Sequence, residues 1–255
     1  MTVVAYWLIM AQLAHNIAYK DTSGSYEAAK AYLDILMSRL SDFHNRYIGE
    51  INTVGKSIAD RVLSGGKLYL WSSRWEFYYE AGGTAGSVMG IYPIHPGGFY
   101  TETGSYSGKI IAPAKFDPEV LNEKDVVILA MAGSTPDVEI EMAQKIRKND
   151  ALLVGIYPFK REDGFSTAPL DELCDMSFDN LSGDMDGVIS VAGYPKKIIP
   201  TVAVMNNYAF WAILGAYVEN MEKRGEAPYY WMSWHVPGGK AYTDSIHAHF
   251  LKRGY

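Results

Sequence analysis

The chain has 255 residues, of which 48% are hydrophobic, and a formal net charge of −6. This length can bury one large core or two small ones, and the acidic balance argues against a nucleic-acid partner, which selects basic surfaces. Cys174 is the single cysteine. It excludes an internal disulfide and a cysteine zinc cluster, so a reducing cytoplasm is the expected location.

The N-terminal quarter is predicted to be helical. Val3–Ala14 is apolar but too short to span a bilayer, and it lacks a basic flank and a small-residue cleavage site. We therefore interpret it as a buried or dimer-facing helix and expect no membrane partner. Between residues 32 and 62, apolar residues recur at spacings of three and four, which predicts a long helix that Gly49 and Gly55 could interrupt. Ser64–Gly66 should end it.

The first strand and its turn follow directly. Lys67–Trp71 is predicted to be the first core strand, and Ser72–Arg74 a polar turn that leads into a helix over Trp75–Ala81. Ser87–Tyr92 is a second strand candidate. Residues 93–115 are rich in Gly, Tyr, Ser and Thr, which favours a long loop of functional importance or disorder.

Asp125–Pro158 carries the clearest pattern in the chain. Val126–Ala130 is a short apolar run typical of a strand covered on both faces. Gly133–Thr135 supplies a turn with a capping hydroxyl, and the helix that follows has acids near its start and bases near its end. A second buried strand completes a β-turn-α-β unit. Such a unit predicts a parallel sheet with ligands bound at the carboxyl ends of its strands, here at Gly133–Thr135.

The rest of the chain alternates short elements with turns. Leu170–Cys174 indicates one helical turn, Met176–Phe178 a short edge strand, and Val188–Val191 another strand. A helix should run from Pro200 to about Lys223, and Ser245–Lys252 should form a short closing helix. No domain boundary is evident, so we predict one domain: a helical layer over 1–64, a sheet core over 65–199, and a helix with an aromatic tail over 200–255.

Two units of strand, hydroxyl-bearing turn and helix, followed by this C-terminal region, resemble the SIS (sugar isomerase) family over roughly Tyr26–Tyr255. The resemblance is to the single-domain, uncharacterised bacterial members. It implies an α/β, flavodoxin-like three-layer sandwich with a central, mainly parallel sheet, a sugar or phosphosugar ligand, and a homo-oligomer, dimer or tetramer. The pieces that carry it are GGKLYLW (65–71), YYEAGG (78–83), DVVILAMAGSTPDVEIEMA (125–143), LDELCDMSFDN (170–180), Gly183-Asp184, the helix from Ile199 that ends in EKRGEAP (222–228), and SWHVPGG (233–239).

The two turns depart from the family pattern. The family has a Gly-rich turn with a serine after the first strand, but Ser72-Ser73-Arg74-Trp75 contains no glycine. It has a Ser-x-Ser-Gly turn after the strand that ends here at Ala130, whereas this chain has Met131–Thr135, with hydroxyls displaced toward the helix. The departures favour a modified or unphosphorylated sugar over an ordinary phosphosugar.

Five residues are candidates for substrate binding. They lie between a strand end and a helix start, where free amide donors and the helix dipole favour an anion. A guanidinium there can grip a carboxylate, sulfonate or phosphate with two hydrogen bonds. The alternative is that the hydroxyls cap the helices and the arginine pairs with a neighbouring acid. The candidates are Ser72, Ser73, Arg74, Ser134 and Thr135.

Three residues are candidates for proton transfer, which a carboxylate or an imidazole can perform. Glu76 and Glu139 lie near the predicted cleft; Glu139 and Glu141 face different sides of their helix, so at most one can face a site. Several SIS enzymes use a late histidine, sometimes from the adjacent subunit, and His235 in the matched tail is our first choice. Each of these side chains could instead be structural or solvated.

The tail residues Tyr229, Tyr230, Trp231 and Trp234 could stack on sugar faces or form a subunit interface. No nucleotide-binding or structural-metal motif is present in the sequence, so we expect no cofactor and no metal. The sequence therefore favours a sugar or sugar-derivative isomerase of the aldose–ketose type. Two alternatives stay open: a non-catalytic sugar-binding regulatory protein, and a sugar lyase or etherase.

Overall fold

A computed structural model of the protein describes residues 8–14, 16, 26–73, 77, 85–94, 118–131, 136–184 and 187–255. Residues 8–14 are helical. The elements that follow are α1 (Glu27–Leu63), β1 (Leu68–Ser72), β2 (Ile91–Ile94), a 3₁₀ turn (Pro118–Val120), β3 (Val126–Ala130), α2 (Asp137–Arg147), β4 (Leu152–Tyr157), α3 (Ala168–Leu173), β5 (Met176–Asp179), α4 (Val202–Glu222) and α5 (Gly239–Arg253).

The five strands form one parallel sheet in the order β2-β1-β3-β4-β5. This is the order of flavodoxin-like sheets, in which the direction of strand progression reverses between β1 and β3. The apolar runs are fully buried, as a sheet covered on both faces requires. The predicted α/β fold with a parallel sheet is confirmed.

The side chains of each strand alternate between two separate hydrophobic cores, one on each face of the sheet. Leu70, Ile128 and Ile156 face the layer formed by α1 and α4. Tyr69, Leu129 and Leu153 belong to the opposite core, beneath α2 and α3. The sheet is therefore the middle of three layers, as predicted, with α1 and α4 packed together on one side.

The long helix α1 is continuous, so the interruptions considered at its glycines do not occur. Gly55 lies where α1 crosses α4: a Cβ there would be 2.6 Å from the backbone and Cβ of Ala216. A Cβ on Gly49 would meet nothing within 4 Å. The first glycine thus allows the two helices to approach closely, while the second has no such role.

Three predicted elements differ from the structure. The second strand begins at Ile91, later than predicted, because Gly86 and Gly90 adopt positive φ angles and keep the preceding residues in turns. Val188–Val191 is not a strand; Ile189 forms only an isolated bridge with Ile198. The closing helix is longer than predicted, because it begins at Gly239, directly after Gly238 in a left-handed conformation.

The Asp125–Pro158 unit is confirmed as β3, α2 and β4, although the N-cap position is occupied by Pro136 rather than by a residue with a capping hydroxyl. Asp125 fixes the start of this unit by accepting hydrogen bonds from the backbone of Lys67 and Asn122. In the described ranges, no helix is both long enough and apolar enough to cross a membrane. The predicted helix over Trp75–Ala81 and the loop over 95–115 lie outside the described residues, except for helical Phe77.

Candidate functional site

The carboxyl ends of β1 and β3 are adjacent in the sheet, and Ser72 lies opposite Ala130 in the parallel register. The chain leaves these two strands in opposite directions, and parallel sheets of this kind bind ligands in a crevice at such a point. The substrate-binding candidates predicted from the sequence lie at or after the ends of the same two strands. The topology thus brings the strand ends that precede the two predicted ligand turns to one edge of the sheet.

A hydrogen bond joins two of the predicted site residues across this crevice. Ser73, the residue after β1, donates its hydroxyl to Oε1 of Glu139 in the first turn of α2. Glu139 has no exposed surface, although it is an acidic residue. Buried carboxylates require hydrogen-bond partners, so the serine helps to hold a carboxylate at the switch point of the sheet.

The side chains of Ser72 and Glu141 do not face the hydrogen-bonded pair of Ser73 and Glu139. Ser72 is fully buried as the last residue of β1, and strand alternation places its side chain on the opposite face from that of Ser73. Glu141 is exposed on α2 and forms an ion pair with Lys145. The two α2 glutamates therefore face different sides of their helix, as expected: Glu139 is buried against Ser73, and Glu141 is exposed.

Trp71 adds a buried donor near the end of β1. Its side chain is fully buried in the core beneath α2. Among the described residues, no acceptor lies within hydrogen-bonding distance of its Nε1. Trp71 and Ser73 are two residues apart along an extended chain, roughly 7 Å, and share a face of the sheet. A buried donor in this position is available to a ligand oxygen or an ordered water.

Met131, the residue directly after β3, is held by a residue of the helical layer on one face of the sheet. Its carbonyl accepts a hydrogen bond of 2.9 Å from Nδ2 of Asn206 in the first turns of α4. Oδ1 of Asn206 in turn accepts a 2.8 Å hydrogen bond from Nδ2 of Asn180, just after β5. All three residues are buried. This chain of amides fixes the base of the segment that carries Ser134 and Thr135.

Arg161, which the sequence analysis did not select, also lies at this edge. It follows β4 by four residues, its side chain is 0% exposed, and it forms an ion pair with Asp163. Its Nη1 lies 3.9 Å from the sulfur of Met131. The signal available in the sequence was only its position after the carboxyl end of a parallel strand, since the stretch PFKRED otherwise reads as a polar loop.

His235 is exposed, in the loop before α5. Its backbone N–H donates to the hydroxyl of Ser233, and no contact among the described residues joins it to Ser73 or Glu139. The tail before it pairs with the residues that lead into β2, through the bridge between Tyr230 and Val88. That is the amino end of a strand, whereas Ser73 follows a carboxyl end. Within one chain, the described structure does not bring His235 to the crevice.

The aromatic tail contributes to packing. Trp231 is buried against Met89 and Phe250, and the rings of Tyr230 and Tyr242 pack at a tilt with their centroids 5.1 Å apart. Trp234 is 45% exposed and lies under the ammonium of Lys240. The tail therefore attaches α5 to the start of β2, while Trp234 keeps an exposed aromatic face.

Four predicted site residues lie outside the described part of the chain: Arg74, Glu76, Ser134 and Thr135. Their roles stay predictions. Elsewhere, a surface depression of about 450 Å³ lies beside the C-terminal half of α2, lined by Glu141, Gln144, Lys145, Arg147, Lys148 and Leu173. It is broad, open and bordered by flexible charged side chains, and it is lined by none of the residues at the crevice.

Comparison with known proteins gives distant relatives with long coverage. A UPF0309 protein of Streptomyces griseus subsp. griseus is 23% identical over 243 residues, which cover 88% of this chain and 96% of that protein. UPF0309 protein OB3413 of Oceanobacillus iheyensis is 19% identical over 85% of this chain and 94% of its own length. These names state no activity. No protein-family model matches the chain.

Two solved structures show a weaker likeness. One is a hypothetical protein of Methanococcus jannaschii, for which a function as 3-hexulose-6-phosphate isomerase has been inferred; it is 12% identical, with a TM-score of 0.40, over 76% of this chain and 90% of that one. The other, also a hypothetical protein, is 11% identical with a TM-score of 0.36, over 76% and 88%. Such scores do not by themselves establish a shared fold, and the strand order and register given above define it here.

Proposed function

We propose that the protein is an isomerase of a sugar or sugar derivative, of the aldose–ketose type. The observation that carries this proposal is the buried Glu139 carboxylate, held by Ser73 at the switch point of a parallel sheet. Ligands of such sheets bind at this point, and a fixed carboxylate is a suitable proton carrier. The family resemblance supplies the substrate class.

In this proposal Glu139 removes the proton from the carbon next to the sugar carbonyl and returns it to the adjacent carbon. Ser73 orients the carboxylate by its hydrogen bond, and the N–H of Trp71 is available to a substrate oxygen. Arg74, Ser134 and Thr135 are proposed to orient the anionic or polyol end of the substrate. The side chain of Ser72 lies on the other face of the sheet, so Ser72 has no such role in this proposal. Glu76 stays a second candidate base.

His235 has a place in this mechanism only if a second copy of the chain supplies it, because its described contacts lie away from the crevice. The resemblance implies a dimer or tetramer and a histidine from the adjacent subunit, so we propose this arrangement. Mixed oligomers of Glu139→Gln and His235→Ala chains test it. Shared sites predict that mixing restores part of the activity that each variant lacks alone, whereas sites within single chains predict no recovery.

A thermal-shift screen over sugar phosphates, free sugars, sugar acids and sulfonated sugars would identify a ligand. Exchange of the proton next to the carbonyl with deuterated solvent, followed by NMR, then tests catalysis. We expect Glu139→Gln to abolish exchange. Glu141→Gln is the matched control, because Glu141 lies on the same helix but is exposed and paired with Lys145. Absence of exchange with every stabilising ligand would contradict the isomerase proposal.

One observation favours the non-catalytic alternative. A base must reach its substrate, yet Glu139 has no exposed surface in this structure. A sugar-binding regulatory protein would need the buried carboxylate only to shape the crevice. In that case ligands would stabilise the protein without proton exchange, and Glu139→Gln would change ligand affinity or stability alone.

A further inference from the structure

Arg161 is a fully buried cation at the carboxyl edge of the sheet. Removing an arginine side chain from water is costly, and arginines are seldom buried unless other groups compensate the charge. It lies beside Met131, which directly follows β3 and begins the segment of the second predicted ligand turn. Its position thus coincides with the edge at which a parallel sheet receives its ligand.

The guanidinium of Arg161 forms two parallel hydrogen bonds with one carboxylate, and we call its pair of donor groups the fork. Nε donates to Oδ1 of Asp163 at 2.9 Å, and Nη2 forms the second bond of the pair, to Oδ2. Nη1 faces the sulfur of Met131, which is a weak acceptor. The ring of Phe165 lies 5.5 Å from the guanidinium carbon and covers it from the loop side.

Asp163 differs from its partner in exposure. Its side chain is 29% exposed, and it lies only two residues away in the same loop. A carboxylate in this two-bond geometry has the shape and charge that a ligand's carboxylate, sulfonate or phosphate would present to an arginine. An aspartate at the solvent side of the loop can leave the fork without the sheet moving.

The overall charge adds to this argument. A chain with a net charge of −6 does not attract anions by its general field. An anionic sugar derivative therefore needs a dedicated cation at the site. In the described part of the chain, Arg161 is a fully buried basic side chain that contacts Met131, directly after β3.

We propose that Arg161 anchors the anionic group of the ligand, and that Asp163 occupies its fork until the ligand's oxyanion replaces it. The proposal deepens the proposed function, since it rests on the same crevice and names an oxyanion-bearing sugar as the substrate class. When the ligand's oxyanion replaces the Asp163 carboxylate, one ion pair of Arg161 is replaced by another, and no covalent bond forms or breaks.

The test uses two substitutions with opposite expected signs. Thermal shifts are measured with inorganic phosphate, with sulfate and with acetate, against chloride at equal ionic strength. We expect oxyanions to raise the Tm of the wild type and Arg161→Gln to abolish that rise. Asp163→Asn should lower the oxyanion concentration needed for the half-maximal shift, on the order of tenfold, because it removes the competing carboxylate. The order of response among the three anions identifies the group that the substrate carries.

Arg147→Gln is the control, because Arg147 pairs with Asp175 on the surface and is 49% exposed. It should leave the oxyanion response unchanged. If Arg161→Gln does not fold, Arg161→Lys keeps the charge but loses the fork and should give a weakened response. A response that persists in Arg161→Gln, or that does not strengthen in Asp163→Asn, would overturn the proposal.

The outcome is separable from that of the proposed function. Proton exchange on an anionic sugar with the same rate and the same KM in wild type and Arg161→Gln would retain the isomerase and reject the anchor. An oxyanion response without exchange on any sugar would retain the anchor and reject the isomerase.

Discussion

At the scale of single residues, the hydrogen bond between Ser73 and Glu139 leads to a direct prediction. Ser73→Ala leaves a buried carboxylate with one partner fewer, and hydrogen bonds to charged groups contribute about 1–3 kcal/mol. We expect a loss of that size in the free energy of unfolding, measured by urea denaturation, together with weaker ligand binding. Ser57→Ala is the control, because its hydroxyl bonds a helix carbonyl on an exposed face, and it should be near neutral. Equal effects of the two substitutions would contradict a special role for Ser73.

Cys174 gives a second prediction at this scale. Burial raises the pKa of its thiol to about 12, so very little reactive thiolate exists at neutral pH. We expect a thiol reagent at pH 8 to modify the folded protein slowly and the urea-unfolded protein at once. Because the chain has a single cysteine, the signal needs no background variant. Complete modification of the native protein within seconds would show that the thiol is accessible.

The residues of the candidate site were predictable one at a time but not as a contact. Ser73 and Glu139 were both recognisable, because each stands where a parallel strand meets a helix. They are 66 residues apart, so only the sheet order brings them together. Arg161 was not predictable, because a buried arginine in a polar loop has the same sequence pattern as an exposed one.

At the scale of secondary-structure elements, the crossing of α1 and α4 depends on Gly55. A Cβ at this position would lie 2.6 Å from Ala216, so Gly55→Ala must force the helices apart, at a cost of about 1–3 kcal/mol. Gly49→Ala in the same helix meets no atom and should instead stabilise the protein by about 0.5–1 kcal/mol, since alanine favours helices. Urea midpoints of the two variants should therefore shift in opposite directions. A shift in the same direction would show that the crossing adapts to the added methyl.

Elements were predictable where a local pattern was sufficient. The strands and helix of Asp125–Pro158 combine apolar runs, end charges and a turn, and all three elements form as predicted. The apolar run at Val188–Val191 was misleading, because its residues are buried beside α4 without joining the sheet. The start of β2 was misplaced for a related reason: apolar residues between two glycines in left-handed conformations resemble a strand in sequence.

At the scale of the whole molecule, the predicted parallel sheet accounts for the location of the site, whereas the sequence could not order its strands. The reversal between β1 and β3 is a property of the complete topology. It selects one crevice from five strand ends and gives Ser73, Glu139 and Met131 a shared location. The ion pair of Arg161 and Asp163 lies at the same edge. Its contribution to the free energy of unfolding can therefore be measured as a test of how much it stabilises this edge.

The hydrogen bonds from Arg161 hold the pKa of the Asp163 carboxyl below its ordinary value. A carboxyl whose pKa is depressed in the folded state contributes stability above its unfolded pKa, about 4, and loses it as the pH falls through the folded pKa. The wild type should therefore be more stable than Asp163→Asn at pH 7 in the absence of oxyanions, and the difference should shrink below about pH 4. Urea denaturation of both proteins between pH 7 and pH 3 measures it.

Glu141→Gln is the matched control for this pH series. Lys145 also lowers the pKa of Glu141, but both side chains are largely exposed, and solvent screens such pairs. The free energy of unfolding of Glu141→Gln should differ little from that of the wild type at every pH. If Asp163→Asn behaves like this control, the ion pair contributes little to the folded state. If Asp163→Asn is much less stable than the wild type at pH 7 but equally stable in acid, the Asp163 carboxylate holds Arg161 in place. An oxyanion that replaces this carboxylate must then stabilise the same edge of the sheet.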